Sequence, residues 1–159
     1  LELLIEEGRH TPEAVLKHKV FYHGPCHLTR SMGVYQEARD VLEQIPGTEL
    51  ANVTPKNSAC CGFGGGVRVN YPSESLGVAS DRYRAAEKLG CDVIITNCGG
   101  CMQNLIEAGQ DEKIKVFDLA EYLSLACGIK IEREDSRMLE LVNRAYRLCI
   151  SGYGESESL

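Results

Sequence analysis

Hydrophobic and polar positions along this chain follow two patterns: short apolar runs, and longer stretches with apolar residues at helical spacing. The clearest apolar runs are residues 19–23 (KVFYH) and 92–97 (DVIITN), which are rich in the β-branched and aromatic residues that favour strands. Weaker runs cover residues 49–53 and 114–117. The pattern therefore predicts about four short strands.

Apolar residues recur at helical spacing between these runs. The spacing predicts helices over residues 34–46, 72–90 and 99–109, with proline favoured in a first turn and glycine at a C-cap. Asp118 and Glu121 have the spacing of a capping box, which predicts a further helix that ends at about residue 127. Each predicted helix thus follows a predicted strand.

Strands that alternate with helices predict an α/β fold, an open and mostly parallel sheet of about four strands with helices on both faces. Residues 135–150 predict a last amphipathic helix, and residues 151–159 a disordered tail. We expect residues 1–150 to form a single domain, because this length suits one core. Residues 1–7 begin within an apolar helical pattern that has no cap, which indicates a piece of a longer polypeptide.

Composition and charge exclude several functional classes. A formal net charge of -6 and a pI near 5.3 argue against nucleic acid as a partner, since such proteins are usually basic. No apolar run approaches the roughly 20 residues of a membrane span, and the start has no signal-peptide pattern. We therefore expect a cytoplasmic protein without a membrane span of its own.

Five of the eight cysteines lie in three glycine-rich stretches, HGPCHLTR, SACCGFGGGVR and TNCGGCMQ. Each stretch follows a predicted strand. The carboxyl ends of parallel strands meet at one edge of the sheet, where α/β proteins bind their ligands. We expect the sulfurs to meet there, as metal ligands or redox thiols; these cysteines are Cys26, Cys60, Cys61, Cys98 and Cys101.

The number and spacing of these cysteines favour one metal chemistry over its rivals. A CxxC such as residues 98–101 occurs in thioredoxin-like pairs and in zinc sites alike, but a redox pair leaves the other cysteines unexplained. Structural zinc takes four ligands, and five sulfurs exceed that number. Adjacent side chains such as those of Cys60 and Cys61 tend to diverge, which suits different atoms of an iron–sulfur cluster.

The segments YHGPCHLTRSMGVYQEARDVL and CCGFGGGVR, with the strand-borne CxxC, resemble the cysteine-rich CCG domain of the heterodisulfide reductase family. The resemblance covers residues 1–125 and is greatest to the iron–sulfur subunit of the membrane-linked members. It implies an iron–sulfur oxidoreductase domain that transfers electrons or reduces a disulfide between thiol coenzymes. It also implies a non-cubane 4Fe-4S cluster, held by Cys26, Cys60, Cys61, Cys98 and Cys101.

The same resemblance implies partners and leaves two alternatives. Family members usually carry two CCG repeats whereas this chain has one, so we expect a second repeat or other redox subunits as partners and no activity of the isolated domain. A membrane cytochrome is a further candidate partner, through which the protein would associate with a membrane. Some related domains hold zinc, which suggests a structural docking module. Others serve glycolate, lactate or glycerol-3-phosphate oxidation, which suggests a cluster relay.

Three further residues flank the cysteine stretches. His27 is a candidate to donate to a cluster sulfur or to ligate the metal, although packing on the loop is the simpler explanation. Arg30 and Arg68 are candidates to pair with an anionic substrate or to offset the cluster charge, with a solvated surface arginine as the alternative.

The remaining histidines and cysteines have simpler explanations. A free cysteine in an apolar pattern behaves as a small buried hydrophobe. We therefore expect Cys91, Cys127 and Cys149 to pack in the core, and His10, His18 and His23 to be structural or surface residues.

Overall fold

A computed structural model describes residues 7–8, 12–51, 59–109 and 113–129. Several predictions fall outside the described residues. These are the helical pattern of residues 1–6, the end of the 49–53 strand, the helix over 135–150, the tail over 151–159, and the environments of His10 and Cys149. That residues 1–150 form one domain stays a prediction.

The described residues form one parallel sheet. Its strands are β1 (Lys19–Tyr22), β2 (Glu49–Leu50), β3 (Val93–Thr96) and β4 (Lys115–Asp118). They lie in the order β2-β1-β3-β4, and every neighbouring pair is parallel. The predicted open parallel sheet of an α/β protein is confirmed.

The strand register brings the loops after β1 and β3 side by side. Tyr22 pairs with Ile95, and the backbone N–H of His23 donates to the Ile95 carbonyl at 2.8 Å. This bond continues the ladder one residue beyond β1. The chain therefore leaves both strands at the same edge of the sheet.

The helices of the described ranges are α1 (Gln36–Glu43), α2 (Val67–Asn70), α3 (Pro72–Lys88), α4 (Gly99–Ala108) and α5 (Leu119–Ala126). The four longer ones were predicted, and α5 opens with the predicted capping box of Asp118 and Glu121. A π-helical turn, His27–Ser31, and the short α2 were not predicted. They are too short to produce a periodic pattern. Within the described ranges, no helix is long and apolar enough to cross a membrane.

The sheet separates two hydrophobic clusters, because successive side chains of a strand point to opposite faces. One face packs against α1 and α5, and the other against α3 and α4. Val20, Tyr22, Val93 and Ile95 belong to the first face, whereas Phe21 and Ile94 belong to the second. Helices thus cover both faces, as the alternating pattern predicted.

Candidate metal centre

Two of the three cysteine stretches lie at the carboxyl edge of the sheet. The third lies in the loop that joins β2 to α2. Cys26 follows β1, and Cys98 follows β3 as the N-cap of α4. Cys60 and Cys61 lie between β2 and α2, and Cys61 belongs to the α3/α4 face of the core. The cysteine-bearing loops follow β1, β2 and β3. These three strands are adjacent in the sheet, with β1 between β2 and β3.

Three metal-ligating side chains form a tight buried group at this edge. One ligand atom from each of His23, Cys61 and Cys101 lies within 4.8 Å of the other two. The three residues are 3%, 4% and 3% exposed. They come from the end of β1, the loop before α2 and the first turn of α4, so only the folded chain assembles them.

The other motif cysteines lie outside this group. Cys98 is half-buried and its side chain forms a hydrogen bond with Cys101. Cys60 is exposed, and its Sγ accepts a hydrogen bond of 3.3 Å from the Gly62 N–H. Cys26 is half-buried at the same edge. All five are free thiols, and Cys60 and Cys61 diverge as adjacent side chains are expected to.

The two buried thiols of the group share a proton unequally. The hydrogen bond from Cys101 lowers the pKa of Cys61 to about 4, with help from His23 and the Phe63 N–H and against the effect of burial. The same bond raises the pKa of Cys101. The hydrogen bond between the two side chains therefore favours ionisation of Cys61 over that of Cys101. A metal ion that bound both would displace this proton.

A buried hydrogen-bond network holds Cys61 in place. The Asn104 amide donates to the Cys61 carbonyl at 2.6 Å and to the carbonyl and hydroxyl of Ser75 at 3.2 and 3.1 Å. Asn104 lies on α4, Ser75 lies on α3, and both are fully buried. This network ties the cysteine loop to both helices of that face.

The flanking residues have two different environments. His27 and Arg30 are exposed. Arg68 is buried, with 8% exposure, and forms an ion pair with Glu107 of α4. The surface alternative for Arg68 is therefore wrong, because a charge beside the core needs a partner. One of its terminal nitrogens, Nη1, is buried without a protein hydrogen-bond partner.

Two residues of this site, His23 and Asn104, were not predicted from the sequence. For His23 the surface alternative is wrong, and the signal was its place directly after β1, in phase with the buried Phe21. For Asn104 the signal was its spacing of three residues from Cys101, which puts both on one helix face.

Two side-chain oxygens in the residues that precede Cys98 are buried. Thr96 Oγ1 and Asn97 Oδ1 have no protein hydrogen-bond partner. Buried polar atoms are usually satisfied, so these two oxygens leave hydrogen-bonding capacity unused in the residues that precede Cys98. The soft sulfur donors of the buried group fit an iron–sulfur cluster.

Cys91 and Cys127 pack in the core, as predicted. Cys91 is buried on the α3/α4 face, and burial raises its pKa. Cys127 packs against the α1/α5 face.

Comparison with known proteins matches residues 20–106 to the family model "CCG: Cysteine-rich domain". One subunit of the dihydromethanophenazine:CoB–CoM heterodisulfide reductase of Methanosarcina acetivorans is 35% identical over 136 residues, 83% of this chain and 33% of that protein. Lactate utilization protein A of Halalkalibacterium halodurans is 35% identical over 113 residues, 69% of this chain and 45% of that protein. An iron-sulfur protein of Methanocaldococcus jannaschii is 32% identical over 131 residues, 78% of this chain and 26% of that protein. The chain therefore spans about a quarter to a half of the length of these relatives.

Proposed function

This chain belongs to the CCG cysteine-rich domain family, and from that membership we propose that it binds a non-cubane 4Fe-4S cluster for electron transfer or disulfide reduction. The observation that carries the proposal is the packing of Cys61 and Cys101 into one buried group at the carboxyl edge of a parallel sheet. Cys98 forms a hydrogen bond with Cys101 of this group. This edge is where α/β proteins place their ligands.

The proposed ligands are Cys26, Cys60, Cys61, Cys98 and Cys101. Their support is that all are free and that they follow neighbouring strands of the sheet. The different exposures of Cys60 and Cys61 suit ligands of different atoms in one cluster better than ligands of one ion. When bound, the cluster would supply one-electron redox chemistry.

The other residues of the site favour a bound anionic centre. Gly62 and Phe63 direct backbone N–H groups at the sulfurs of Cys60 and Cys61. Cys101 lies in the first turn of a ten-residue helix, where the helix dipole favours a thiolate. These donors would stabilise negative charge on sulfur and so set the reduction potential.

We propose that the domain works with redox partners. The chain spans 33% of one heterodisulfide reductase relative, so a second CCG repeat or other redox subunits would complete the active protein. A membrane cytochrome is a candidate partner. By this proposal the chain alone holds a cluster but does not turn over substrate.

The test is metal analysis after reconstitution with iron and sulfide under anaerobic conditions. We expect about four irons and four sulfides per chain, and a paramagnetic signal on oxidation or reduction. Cys61→Ala should abolish this stoichiometry. Cys91→Ala is the matched control, because Cys91 is buried in the same core cluster but lies outside the motif. Absence of iron and sulfide from the wild type would refute the proposal.

Zinc is the second candidate, favoured by the grouping of one histidine and two cysteines around a common point. Such a donor set fits a single zinc ion, and the domain would then be a docking module. About one zinc per purified chain, with no iron bound on reconstitution, would favour it.

A cluster relay in 2-hydroxy-acid oxidation is the third candidate, favoured by the similarity to a lactate utilization protein. Under this alternative the reconstituted cluster exchanges electrons with a redox partner. The assembled complex does not reduce a disulfide between two different thiols.

A further inference from the structure

His23 differs from the other histidines of the described residues in its surroundings. Its side chain is 3% exposed and lies within 4.8 Å of the sulfurs of Cys61 and Cys101. A hydrogen bond joins it to Cys61. By contrast, His27 is exposed, and His18 bonds to the Tyr122 hydroxyl at 3.2 Å.

The sheet, and not an adaptable loop, fixes the position of His23. Side chains alternate along β1, so His23 lies on the same face as Phe21, the face on which the two cysteines pack. The backbone N–H of His23 donates to the Ile95 carbonyl at 2.8 Å. The imidazole is therefore pre-positioned at the cysteines.

The distances suit direct ligation. In a tetrahedral site with metal–ligand bonds of about 2.0–2.3 Å, the ligand atoms lie roughly 3.5–4 Å apart. The ligand atoms of His23, Cys61 and Cys101 lie at most 4.8 Å from one another. Only small movements are needed to bring them to that spacing. Imidazole nitrogen and thiolate sulfur both suit iron and zinc.

We propose that His23 supplies a nitrogen ligand to the same metal centre as Cys61 and Cys101, in addition to the motif cysteines. The identity of the centre as an iron–sulfur cluster rests on the proposed function, whereas the donor set of one nitrogen and two sulfurs does not.

The ligand set has a consequence for the reduction potential. A neutral imidazole leaves less negative charge on the centre than a thiolate does, and histidine in place of cysteine raises the potential of Rieske centres. Replacement of His23 by cysteine should therefore lower the potential of the reconstituted protein.

A purely structural histidine makes a different prediction. If His23 only hydrogen-bonds to the Cys61 sulfur, its loss lowers stability or shifts the potential, but no histidine nitrogen coordinates the metal. Detection of a coordinated nitrogen separates the two explanations.

The experiment is pulsed EPR on the full chain, labelled with ¹⁴N- or ¹⁵N-histidine and reconstituted with iron and sulfide. We expect a strong histidine nitrogen coupling in the wild type. The coupling should persist when the other three histidines are replaced (His10→Ala, His18→Ala and His27→Ala together), which leaves His23 as the last of the four. It should disappear in His23→Cys, which keeps its iron and sulfide and has a lower midpoint potential.

Two results would overturn the proposal: a wild-type spectrum without strong histidine coupling, or a coupling that persists in His23→Cys. His27→Ala alone is the matched control, since its ring is exposed and next to Cys26. The wild type and the triple variant both retain His23, so the answer does not depend on whether a His23 variant folds.

Cobalt separates this inference from the proposed function. Absence of iron and sulfide would refute the proposed function, and Co²⁺ alone then probes the donor set. We expect X-ray absorption of the Co²⁺-loaded wild type to show sulfur ligands together with imidazole scattering, which His23→Cys loses and His27→Ala retains. Coordination without imidazole, or no Co²⁺ binding, would overturn the assignment of His23.

Discussion

Burial and hydrogen bonding give identical thiols of this chain different acidities. Cys61 and Cys91 belong to the same core cluster. A hydrogen bond from Cys101 lowers the pKa of Cys61 to about 4, whereas burial raises the pKa of Cys91. The difference arises from neighbours on other elements. The sequence separated these two cysteines only because one belongs to the glycine-rich motif.

The pKa of the Tyr22 hydroxyl also depends on its surroundings. Its ring is buried on the α1/α5 face, and its hydroxyl has no protein hydrogen-bond partner. Burial raises its pKa from the ordinary 10.0 to about 12, while the charge of Arg39 acts in the opposite direction and that of Glu37 in the same direction. The folded chain therefore holds this proton more tightly than the unfolded chain.

We predict that Tyr22→Phe reduces alkaline destabilisation. Between pH 10 and 12 the unfolded chain loses the Tyr22 proton while the folded chain keeps it, so the free energy of unfolding falls as pH rises through this window. The two-unit shift corresponds to about 2–3 kcal/mol. Denaturant unfolding at a series of pH values should show a shallower fall for Tyr22→Phe, with little change below pH 10.

The control for that prediction is Tyr71→Phe, whose ring is exposed. An equal change of slope in Tyr71→Phe, or an unchanged slope in Tyr22→Phe, would contradict burial of Tyr22 as the cause.

At the scale of elements, the loop between Cys61 and α2 depends on glycine at one position above all. Gly62 has φ +83°, and a Cβ built there would lie 2.6 Å from the Ser75 carbonyl oxygen of α3. Gly64, two residues on, has open space around the position of a Cβ. Close packing of the loop on α3 thus requires the absence of a side chain at residue 62.

We predict that Gly62→Ala weakens both the fold and the cluster site. The left-handed backbone costs of order 1–3 kcal/mol for a residue with a side chain, and the contact with Ser75 adds to this cost. Relief of the contact between the added methyl group and Ser75 should move the loop, and with it the sulfurs of Cys60 and Cys61. Less iron should then bind on reconstitution. Unfolding curves and iron content measure the two effects.

Gly64→Ala is the matched control and should retain both stability and iron. If both variants behaved alike, the close approach of Gly62 to α3 would not be what shapes the loop.

At the scale of the whole molecule, the sheet edge joins segments that are far apart along the chain. His23, Cys61 and Cys101 come from three segments and meet within 4.8 Å. A metal centre that bound them would act as a crosslink between β1, the loop before α2, and α4. Ligand binding to the folded state alone stabilises it by mass action.

We predict that cluster loading slows amide hydrogen exchange in the cysteine loops and much less in α5. Residues 60–63 and 98–101 include four of the proposed ligands, whereas α5 lies on the opposite face of the sheet. The measurement compares exchange in the reconstituted and metal-free protein. Cys61→Ala, treated in the same way, should show no such difference. Uniform slowing along the chain would contradict local crosslinking.

Local sequence patterns were enough to predict the strands, the longer helices, the fold class and the family. Apolar runs and helical spacing are local properties, and they predicted the strands, the four longer helices and the capping box at Asp118. The glycine-rich cysteine stretches are also local, and they indicated iron–sulfur chemistry before any contact was known.

The side chains that meet in the buried group could be identified from the folded chain alone. His23 begins the HGPCHLTR stretch, but its place beside Cys61 and Cys101 follows from the alternation of side chains after β1 together with the β1–β3 register. Arg68 is buried because Glu107, 39 residues away, lies beside it. Such contacts depend on how elements pack, and packing is a property of the folded chain that local patterns do not record.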